Sequence, residues 1–471
     1  MRQLTCLGIA SLVALSACGP ETVEAALGWR PGIVLPSDHE GPRGMLDLRG
    51  LVHAHSVYSH DACDNAPRNE ATLALNVPCL EDFRRALCTV GHDFVFLTDH
   101  GAHFAEYEFP DVLLYDEARK DELVVRSGEP VANFAGCAGG AHRTLILAGT
   151  ETETMPVGLE GHVGATLEER EAAYSGRTKE AVQKLKARGA ITLVAHTEEW
   201  SVDELTGLGL DGFEMFNLHA NTILGAGAVL SLLGKLSYPD LLPHPDLAFL
   251  PIVNEDPRYL EKWGTVLARG GRPVTTMGTD CHQNTLPQLL PDGERIDSYR
   301  RMMGWFSNHL LVTPEADGSF DDRHLKQALG EARLYGAFEM LGYPEGFDFY
   351  ASSGSDVRDM GSEVTLAADT ALVVKRPRIR ELLDPSLQAP SVQAPELTVR
   401  LLVAVEGGFE VVAESSEESV SELTYAPTAP GAYRAEVRMR PRHLRGELAT
   451  FAGLADEDFV WIYSNAIHVV M

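Results

Sequence analysis

Short apolar runs of β type alternate with helical patterns between residues 46 and 348. The first apolar run lies at 51–52, and the helix predicted over 80–90 has apolar side chains at helical spacing and ends at Gly91. Further strands are predicted at 94–97, 144–148, 191–195, 213–216, 274–277, 309–312 and 334–338, and further helices at 178–188, 257–269 and 322–332. This alternation predicts an α/β fold with a mostly parallel sheet, either open or closed into a barrel.

The pattern changes after about residue 348. Helical periodicity fades, and β-type runs at 370–374, 398–405, 409–413, 432–438 and 460–470 are separated by proline-rich turns. We therefore predict an α/β domain over 46–348 and a small all-β, sandwich-like domain over 349–471. An apolar stretch at 222–234 is too short to span a bilayer and predicts a buried or lid-like helix.

The amino-terminal residues form a separate unit. Arg2 is the only charged residue before Cys18, and a largely apolar segment follows it, which predicts a secretory signal peptide over 1–17. The end of this segment resembles a bacterial lipobox and reads Leu15-Ser16-Ala17-Cys18-Gly19. The resemblance implies cleavage before Cys18 and lipidation of that cysteine, whereas an ordinary signal peptide with a chance cysteine is the alternative. Residues 18–45 are then a tether, and the protein is expected to be an exported lipoprotein on the periplasmic side or the cell surface.

Composition adds two limits. Asp and Glu total 68 against 39 Lys and Arg, and the net charge of −29 repels phosphate backbones, so nucleic acid is excluded as the main partner. The cysteines outside the predicted signal and lipidation site are Cys63, Cys79, Cys88, Cys137 and Cys281. The first four can form two disulfides in an exported protein, with a pairing that the sequence leaves open, or stay as buried free thiols.

Five predicted strands end in histidine or a carboxylate residue. The carboxyl ends of parallel strands carry the sites of α/β folds. His53 and His55 stand two apart on an extended chain and therefore point to one face. The candidate residues at these ends are His53, His55, Asp99, His100, Glu151, His196, Asp280 and His282. Imidazole nitrogens mixed with carboxylate oxygens predict a site for Zn, Mn or Fe, because burying so many ionisable groups without metal is costly.

These segments resemble the PHP family, which is named for polymerase and histidinol phosphatase. The motifs run from about residue 46 to 290 and read His53-Ala-His55-Ser-Val-Tyr-Ser59-His-Asp61, Thr98-Asp99-His100, Gly149-Thr-Glu151, Gly161-His162, Ala195-His196 and Gly278-Thr-Asp280-Cys-His282. The resemblance implies a distorted (β/α)7, TIM-like barrel with two or three metals that hydrolyses phosphate esters. A branch of the family named for a carbamate hydrolase is also similar, including its lipoprotein-like start and its β-rich tail.

Carried over position by position, the resemblance implies three metal sites. The ligands are His53, His55, Glu151 and Asp280 for the first metal, the bridging Glu151 with His162 and His196 for the second, and Asp61, His100 and His282 for the third. Asp61 stands where some members have histidine, which puts the occupancy of the third metal in doubt. Thr197 stands where proline is frequent, which affects one loop. For His162, a surface histidine is the alternative.

The cluster predicts hydrolysis by water that the metals activate. The resemblance implies that Glu151 is the bridging carboxylate, and Glu151 is therefore the first catalytic candidate. Asp99 is a second catalytic candidate, as an orienter of His100 or a proton acceptor, with a strand-end cap as the alternative. Candidate substrate contacts are Arg143, Asn217, His103 and His219, of which Arg143 suits a phosphate, with a surface role as the alternative for each.

Three functions remain open from the sequence. The first is a phosphoesterase that acts on a small phosphomonoester or phosphodiester. The second is a hydrolase of carbamate, amide or carboxyl ester bonds with the same metals, and the third is a surface-anchored binding protein with a non-catalytic barrel. The complete ligand set disfavours the third function, and the scarcity of Lys and Arg near the motifs weakens a phosphate-rich substrate. The expected partners are a small-molecule substrate and, through the lipid anchor only, a membrane.

Overall fold

A computed structural model describes residues 31–32, 39–138, 140, 142–380 and 393–471. The predicted signal peptide over 1–17, the lipidation site at Cys18 and most of the predicted tether lie outside these residues. Within the described ranges, no helix combines the length and the apolar character that a membrane crossing requires.

The α/β part begins with alternating strands and helices. Its strands up to residue 278 are β1 (Leu46–Leu51), β2 (Phe94–Phe96), β3 (Asp99–His100), β4 (Glu122–Arg126), β5 (Glu129–Gly136), β6 (Arg143–Glu151), β7 (Met155–Leu159), β8 (Ile191–Leu193), β9 (Gly212–Asn217) and β10 (Val274–Gly278). Its helices are α1 (Ala62–Asn65), α2 (Val77–Val90), α3 (Gly101–Phe104), α4 (Leu167–Tyr174), α5 (Lys179–Ala187), α6 (Val202–Gly207), α7 (Leu218–Leu224), α8 (Ala226–Leu233) and α9 (Pro257–Ala268).

The remainder of the described chain is richer in strands. Its elements are α10 (Tyr299–Met303), β11 (Ser307–Val312), α11 (Asp322–Gly330), β12 (Leu334–Ala337), β13 (Pro344–Glu345), β14 (Asp348–Ser353), β15 (Asp356–Asp359), β16 (Glu363–Thr365), β17 (Ala371–Lys375), β18 (Arg378–Ile379), β19 (Glu396–Val405), β20 (Gly408–Ser415), β21 (Glu422–Tyr425), β22 (Gly431–Arg440) and β23 (Phe459–Val470). The described residues after 348 contain no α-helix, as the loss of helical periodicity predicts.

The predicted helices begin and end at the residues that cap them. Helix α2 starts after Asn76, whose side chain accepts a hydrogen bond from the Cys79 amide, and it stops at Gly91 in the left-handed conformation. The apolar stretch at 222–234 is not one buried helix. It is divided between α7 and α8 near Gly225, and Ile223 and Leu230 are 69% and 68% exposed. The prediction of burial is therefore wrong for much of this segment.

One sheet joins most of the strands. Strand β1 pairs in parallel with β2, and β2 with β6, so these three strands end at the same edge. On its other side β1 pairs antiparallel with β11, followed by β12, β23, β22, β19 and β20. Apolar side chains such as Leu48, Phe96 and Leu147 pack in the core beneath this sheet. The α/β class is confirmed, although the sheet is mixed rather than mostly parallel.

The described strands do not close into one hydrogen-bonded barrel. Strands β9 and β10 pair in parallel with each other as a separate ladder. The side-chain amide of Asn308 bonds both the N–H and the C=O of Met277, at 2.8 and 2.9 Å, and Asn465 bonds those of Thr275 in the same way. Two amides thus satisfy the backbone of β10 where a neighbouring strand would otherwise pair. The (β/α)7 barrel remains a prediction.

The carboxyl-terminal strands continue the sheet of the α/β part. Strand β23 pairs with β12, with Tyr335 opposite Ser464, and Asn465 reaches β10. A second sheet, in the order β15-β14-β17-β21, packs its apolar face into the core that β19, β22 and β23 share. The described part of 349–471 is thus rich in β-strands. Hydrogen bonds between β12 and β23 and between Asn465 and β10 cross the predicted domain boundary at 348, and that boundary stays a prediction.

Two disulfides are present in the described chain. They join Cys63 to Cys79 and Cys88 to Cys137, which decides the pairing that the sequence left open. Cys281 is a buried free thiol.

Candidate metal centre

The loops that follow β1, β2, β6, β8 and β10 meet at one end of the sheet. His55 donates its amide to the Cys281 carbonyl and Asp280 donates its amide to the His53 carbonyl, each at 3.1 Å. The Glu151 amide is likewise held by the Thr98 carbonyl at 3.0 Å. Backbone hydrogen bonds between loops therefore set the positions of the ligand side chains before any metal is considered.

Four of these side chains form a compact buried group. The Nε2 atoms of His53 and His55 lie 3.0 Å apart, and each lies 3.2 Å from an oxygen of Glu151 and 3.3 Å from an oxygen of Asp280. Five of the six distances among these four atoms are 3.0–3.3 Å, close to the edges of about 3.3 Å of a tetrahedron whose centre lies about 2.0 Å from each corner, the distance that Zn²⁺ prefers to nitrogen and oxygen ligands. This group fits one first-row divalent ion.

Both carboxylates of this group extend to a second set of ligands. Glu151 presents Oε2 to His53 and His55 and Oε1 to His196, 3.6 Å from its Nε2. Asp280 presents Oδ1 to the same histidine pair and Oδ2 to His196 and His219, at 3.3 and 3.4 Å. The arrangement therefore suits two ions with two bridging carboxylates, where the sequence predicted only Glu151 as a bridge.

A third set lies on the other side of His55. Asp61 Oδ2 is 3.3 Å from His100 Nε2 and 3.1 Å from His282 Nε2. The ring of His282 stacks on that of His55 with centroids 3.7 Å apart. With His55 these residues form a group of four whose ligand atoms lie within 4.8 Å of one another.

Unpaired atoms support the assignment to metal. Both carboxylate oxygens of Asp280 and Nε2 of His282 are buried and make no hydrogen bond within the described chain. Buried polar atoms are normally hydrogen-bonded, and orphans of this kind point to a missing partner. Imidazole and carboxylate together suit Zn, Mn or Fe, and the residues present fit such ions.

Backbone strain is concentrated at the same place. His196 and Asp280 have φ values of +48° and +50°, in the left-handed region that side-chain-bearing residues rarely adopt. Both residues belong to the group formed by His196, His219 and Asp280, and Asp280 also belongs to the group of His53 and His55. Strain of this kind is retained where the surrounding structure requires a particular side-chain direction, and here it directs two ligands to a common point.

The electrostatics of the group favour cations. Burial opposes charge on His53, but Asp280, Glu151 and Glu214 outweigh burial and raise its pKa well above the ordinary range. Burial also disfavours ionised Asp280, yet His53 and His282 hold its pKa well below the usual value. The carboxylates therefore stay ionised, and a metal ion would take the place of protons on the histidines.

Glu214 supports two of the ligands, and the sequence analysis missed it. Its carboxylate lies 2.6 Å from His53 Nδ1 and accepts the His196 amide at 3.1 Å. A carboxylate on the far nitrogen of a metal-bound histidine fixes the tautomer and the ring orientation. The available signal was a charged residue inside the apolar strand predicted at 213–216.

His219 is a ligand candidate rather than only a substrate contact. It follows the end of β9, and its Nδ1 faces Asp280. The end of β9 was not among the five strand ends that the sequence analysis selected as ligand-bearing. The rule that identified the other ligands would have found it. Its side chain is 54% exposed, so it stands at the open side of the centre.

His162 is a correction, because the structure places it outside all three groups. Its Nε2 lies 2.6 Å from the Tyr107 carbonyl and its Nδ1 lies 2.9 Å from the Tyr174 hydroxyl, so both ring nitrogens are used. His162 follows β7, which runs antiparallel to β6 and therefore ends away from Glu151. The other eight predicted ligands come together, with His219 beside His196.

Arg143 is a second correction. It starts the nine-residue strand β6, whose other end is Glu151, so the two residues are about 26 Å apart at about 3.3 Å per residue. Its guanidinium pairs with Glu122 on the surface. Arg143 cannot contact a substrate held at the metal centre.

Asp99, Asn217 and His103 do not line the cavity at the centre. The Asp99 carboxylate is fully buried and accepts the amide and hydroxyl of Ser56, and burial raises its pKa to about 7. The fully buried Asn217 amide donates to Glu214 and caps helix α7. His103 lies beside His60, with ring centroids 6.0 Å apart. Asp99 and Asn217 hold neighbouring loops in place, and the catalytic role of Asp99 and the substrate contacts of Asn217 and His103 stay predictions.

A cavity of about 310 Å³ opens at the ligands. The candidate ligands in its lining are Asp61, His100, Glu151, His196, His219, Asp280 and His282, and the apolar residues are Leu218, Phe249, Leu286, Met302 and Trp305. Thr222, Gln283, Asn284, Thr285 and Asp297 complete the described lining, which contains no lysine or arginine.

No family profile and no curated protein matches this sequence. Among solved structures, it is similar to a two-domain protein from Bacteroides vulgatus described as containing a predicted PHP-like metal-dependent phosphoesterase. The similarity covers 92% of this chain and 99% of that chain at 11% identity, with a TM-score of 0.35. Such a low score carries no argument about fold or function, and membership of the PHP family stays a prediction from the sequence motifs.

Proposed function

We propose that this protein is a metal-dependent hydrolase with a centre of two or three divalent ions. The observation that carries the proposal is the double bridge: Glu151 and Asp280 each turn one oxygen to the His53–His55 pair and the other to His196. Bound ions would activate water and polarise the scissile group.

The protein's own side chains hold and orient this centre. Glu214 keeps His53 in the tautomer whose Nε2 faces the other ligands, and Glu198 lies 3.2 Å from Nδ1 of His196. Asp99 ties the loop after β2 to Ser56 in the loop after β1. These contacts preorganise the ligands, which supports a catalytic centre over a scaffold for binding.

The class of bond that the protein hydrolyses is also part of this proposal. The sequence motifs imply that the substrate is a phosphoester, either a small phosphomonoester or a small phosphodiester. The cavity favours the second candidate, a carbamate, amide or carboxyl ester, because its described lining has no lysine or arginine to pair with a phosphate. Asp297 adds a further carboxylate to that lining.

A hydrolysis panel tests the proposal. Metal-loaded protein is assayed with chromogenic phosphomonoester, phosphodiester, carbamate and carboxyl ester substrates, and chelator-treated protein is the control. We expect hydrolysis of at least one class that is lost on chelation and restored by Zn or Mn. Inactivity on every class by protein that carries two equivalents of metal would favour the binding-protein function.

We also propose that the chain is exported and anchored by lipid at Cys18. The apolar segment that closes on a lipobox-like sequence supports this, and the two disulfides are typical of an oxidising compartment. Cys18→Ser should leave an unlipidated or uncleaved precursor. Normal maturation and membrane partition of that variant would contradict the anchor.

A further inference from the structure

Part of the cavity wall is apolar. Phe249 and Trp305 stack with ring centroids 4.4 Å apart and are 4% and 2% exposed. Leu218 is buried beside them in the same core, and the partly buried Leu286 and Met302 extend the wall. When an apolar group binds there, its own surface and the surface of the wall are both removed from water, which favours binding through the hydrophobic effect.

The described lining of the cavity contains several carboxylates and no lysine or arginine. The carboxylates of Asp61, Glu151 and Asp280 are ligand candidates, and the carboxylate of Asp297 is already bound by the amides of Thr285 and Leu286. Because the described lining has no lysine or arginine, an anionic substituent placed away from the ligand histidines has no basic side chain to pair with. Placing a charged group against Phe249 and Trp305 would remove its hydration, and the neutral donor there, Nε1 of Trp305, would offset only part of that cost.

We propose that the substrate is an uncharged ester-type molecule whose bulky apolar substituent occupies the wall formed by Leu218, Phe249, Leu286, Met302 and Trp305. This inference rests on the proposed hydrolase function and names its substrate class. The ions would hold the polar end of the molecule, and the apolar wall would select among substrates by the size of the substituent. Specificity would then be decided by burial of apolar surface rather than by charge.

Binding of alkyl hydroxamates tests the wall without turnover. Hydroxamates chelate divalent metals, so straight-chain members of two to eight carbons place a graded alkyl group beside the same centre. Calorimetry on metal-loaded full-length protein should show Kd falling about threefold to fourfold for each added methylene until the wall is covered, as expected for a buried methylene. A Kd that does not change with chain length would overturn the inference, and so would a failure of all members to bind.

A matched pair of variants assigns the effect to the wall. Leu286→Ser removes an apolar group from the cavity, so it should reduce the dependence of Kd on chain length. Leu289→Ser makes the same change three residues along, at a side chain that is 64% exposed and outside the lining, and it should behave like the wild type. Equal effects of both variants would contradict the assignment.

A parallel turnover series separates the two proposals. Nitrophenyl carboxyl esters with acyl chains of two to eight carbons are compared with nitrophenyl phosphate. Ester hydrolysis with kcat/KM independent of chain length would keep the hydrolase function and overturn the apolar substrate. Chain-dependent hydroxamate binding without hydrolysis of any substrate would keep the apolar site and overturn the hydrolase function.

Discussion

Two buried clusters of ionisable side chains lie along strand β1, and their charges are balanced in different ways. In the first cluster, Arg49 forms a two-pronged ion pair with Glu339, 2.8 Å at each prong, and His309 lies 2.8 Å from Asp47. In the second cluster, just beyond the end of the strand, His53 and His55 face two carboxylates, and neither lysine nor arginine belongs to the three described ligand groups.

The difference distinguishes a buried charged cluster that stabilises the fold from one that is suited to bind cations. In the first cluster the guanidinium of Arg49 and a protonated His309 offset the charges of Asp47 and Glu339, although Nε2 of His309 makes no hydrogen bond with the described residues and lies 3.4 Å from Glu339. In the second cluster the oxygens of Asp280 are left without hydrogen bonds. A buried acidic cluster without arginine or lysine requires added cations, whereas one that contains arginine supports the fold alone.

The largest expected effect is at the double bridge. Glu151→Gln and Asp280→Asn each weaken ligands of two groups, so activity should fall by several orders of magnitude and metal content by more than one equivalent. Asp61→Asn is the matched control, because Asp61 contacts only the third group and its loss should leave the other two ions bound. Elemental analysis and turnover on identically purified variants check this. Equal metal loss in all three would leave a simpler mononuclear site as the better account.

Removal of the arginine should damage the first cluster and spare the second. Arg49→Met leaves Glu339 buried without its partner, which should cost about 3–5 kcal/mol of unfolding free energy. Arg143→Met breaks an exposed pair with Glu122 and should cost less than about 1 kcal/mol. Urea denaturation measures both values, and metal content per folded molecule should be unchanged. A small loss in Arg49→Met would mean that the ion pair is not what stabilises the first cluster.

The first cluster should also make stability depend on pH. Burial alone would lower the pKa of His309, but Asp47 and Glu339 outweigh it and raise that pKa to about 9. Because the folded pKa lies above the unfolded value of about 6.5, the proton contributes roughly 3 kcal/mol that is present in full below pH 6.5 and is lost as pH rises through 9. Denaturation curves of wild type and His309→Asn, compared between pH 6 and 10, measure it. A difference between the two proteins that stays constant over this range would contradict the expectation.

The smallest expected effect is at the support of the second cluster. Glu214→Gln keeps the shape of the side chain but weakens its hold on His53, so metal affinity should fall about 10–100-fold while the fold is retained. Competition with a chelating dye measures the affinity. Glu160→Gln, which breaks a partly exposed pair with Lys326, is the control. Equal affinity in both variants would show that the orientation of His53 does not depend on Glu214.

The ligands that could be read from the sequence are those whose geometry is local. His53 and His55 share a face because an extended chain has a period of two, and the end of an apolar run marks the edge of a parallel sheet. His162 misled the prediction because β7 runs antiparallel, and strand direction is set by pairing partners distant in the sequence. Glu214 was missed because its role depends on facing His53 across 161 positions of the chain.

The sequence by itself determined the α/β class, the capped helices, the β-rich end and nearly all of the candidate ligand residues, since each depends on periodicity or on spacing within a few residues. The tertiary structure decided the pairing of the disulfides, the second bridging role of Asp280, the recruitment of His219 and the exclusion of His162 and Arg143. It also decided that Asn308 and Asn465 bond the backbone of β10 in place of neighbouring strands. These features arise from contacts between distant segments, whose geometry no local pattern encodes.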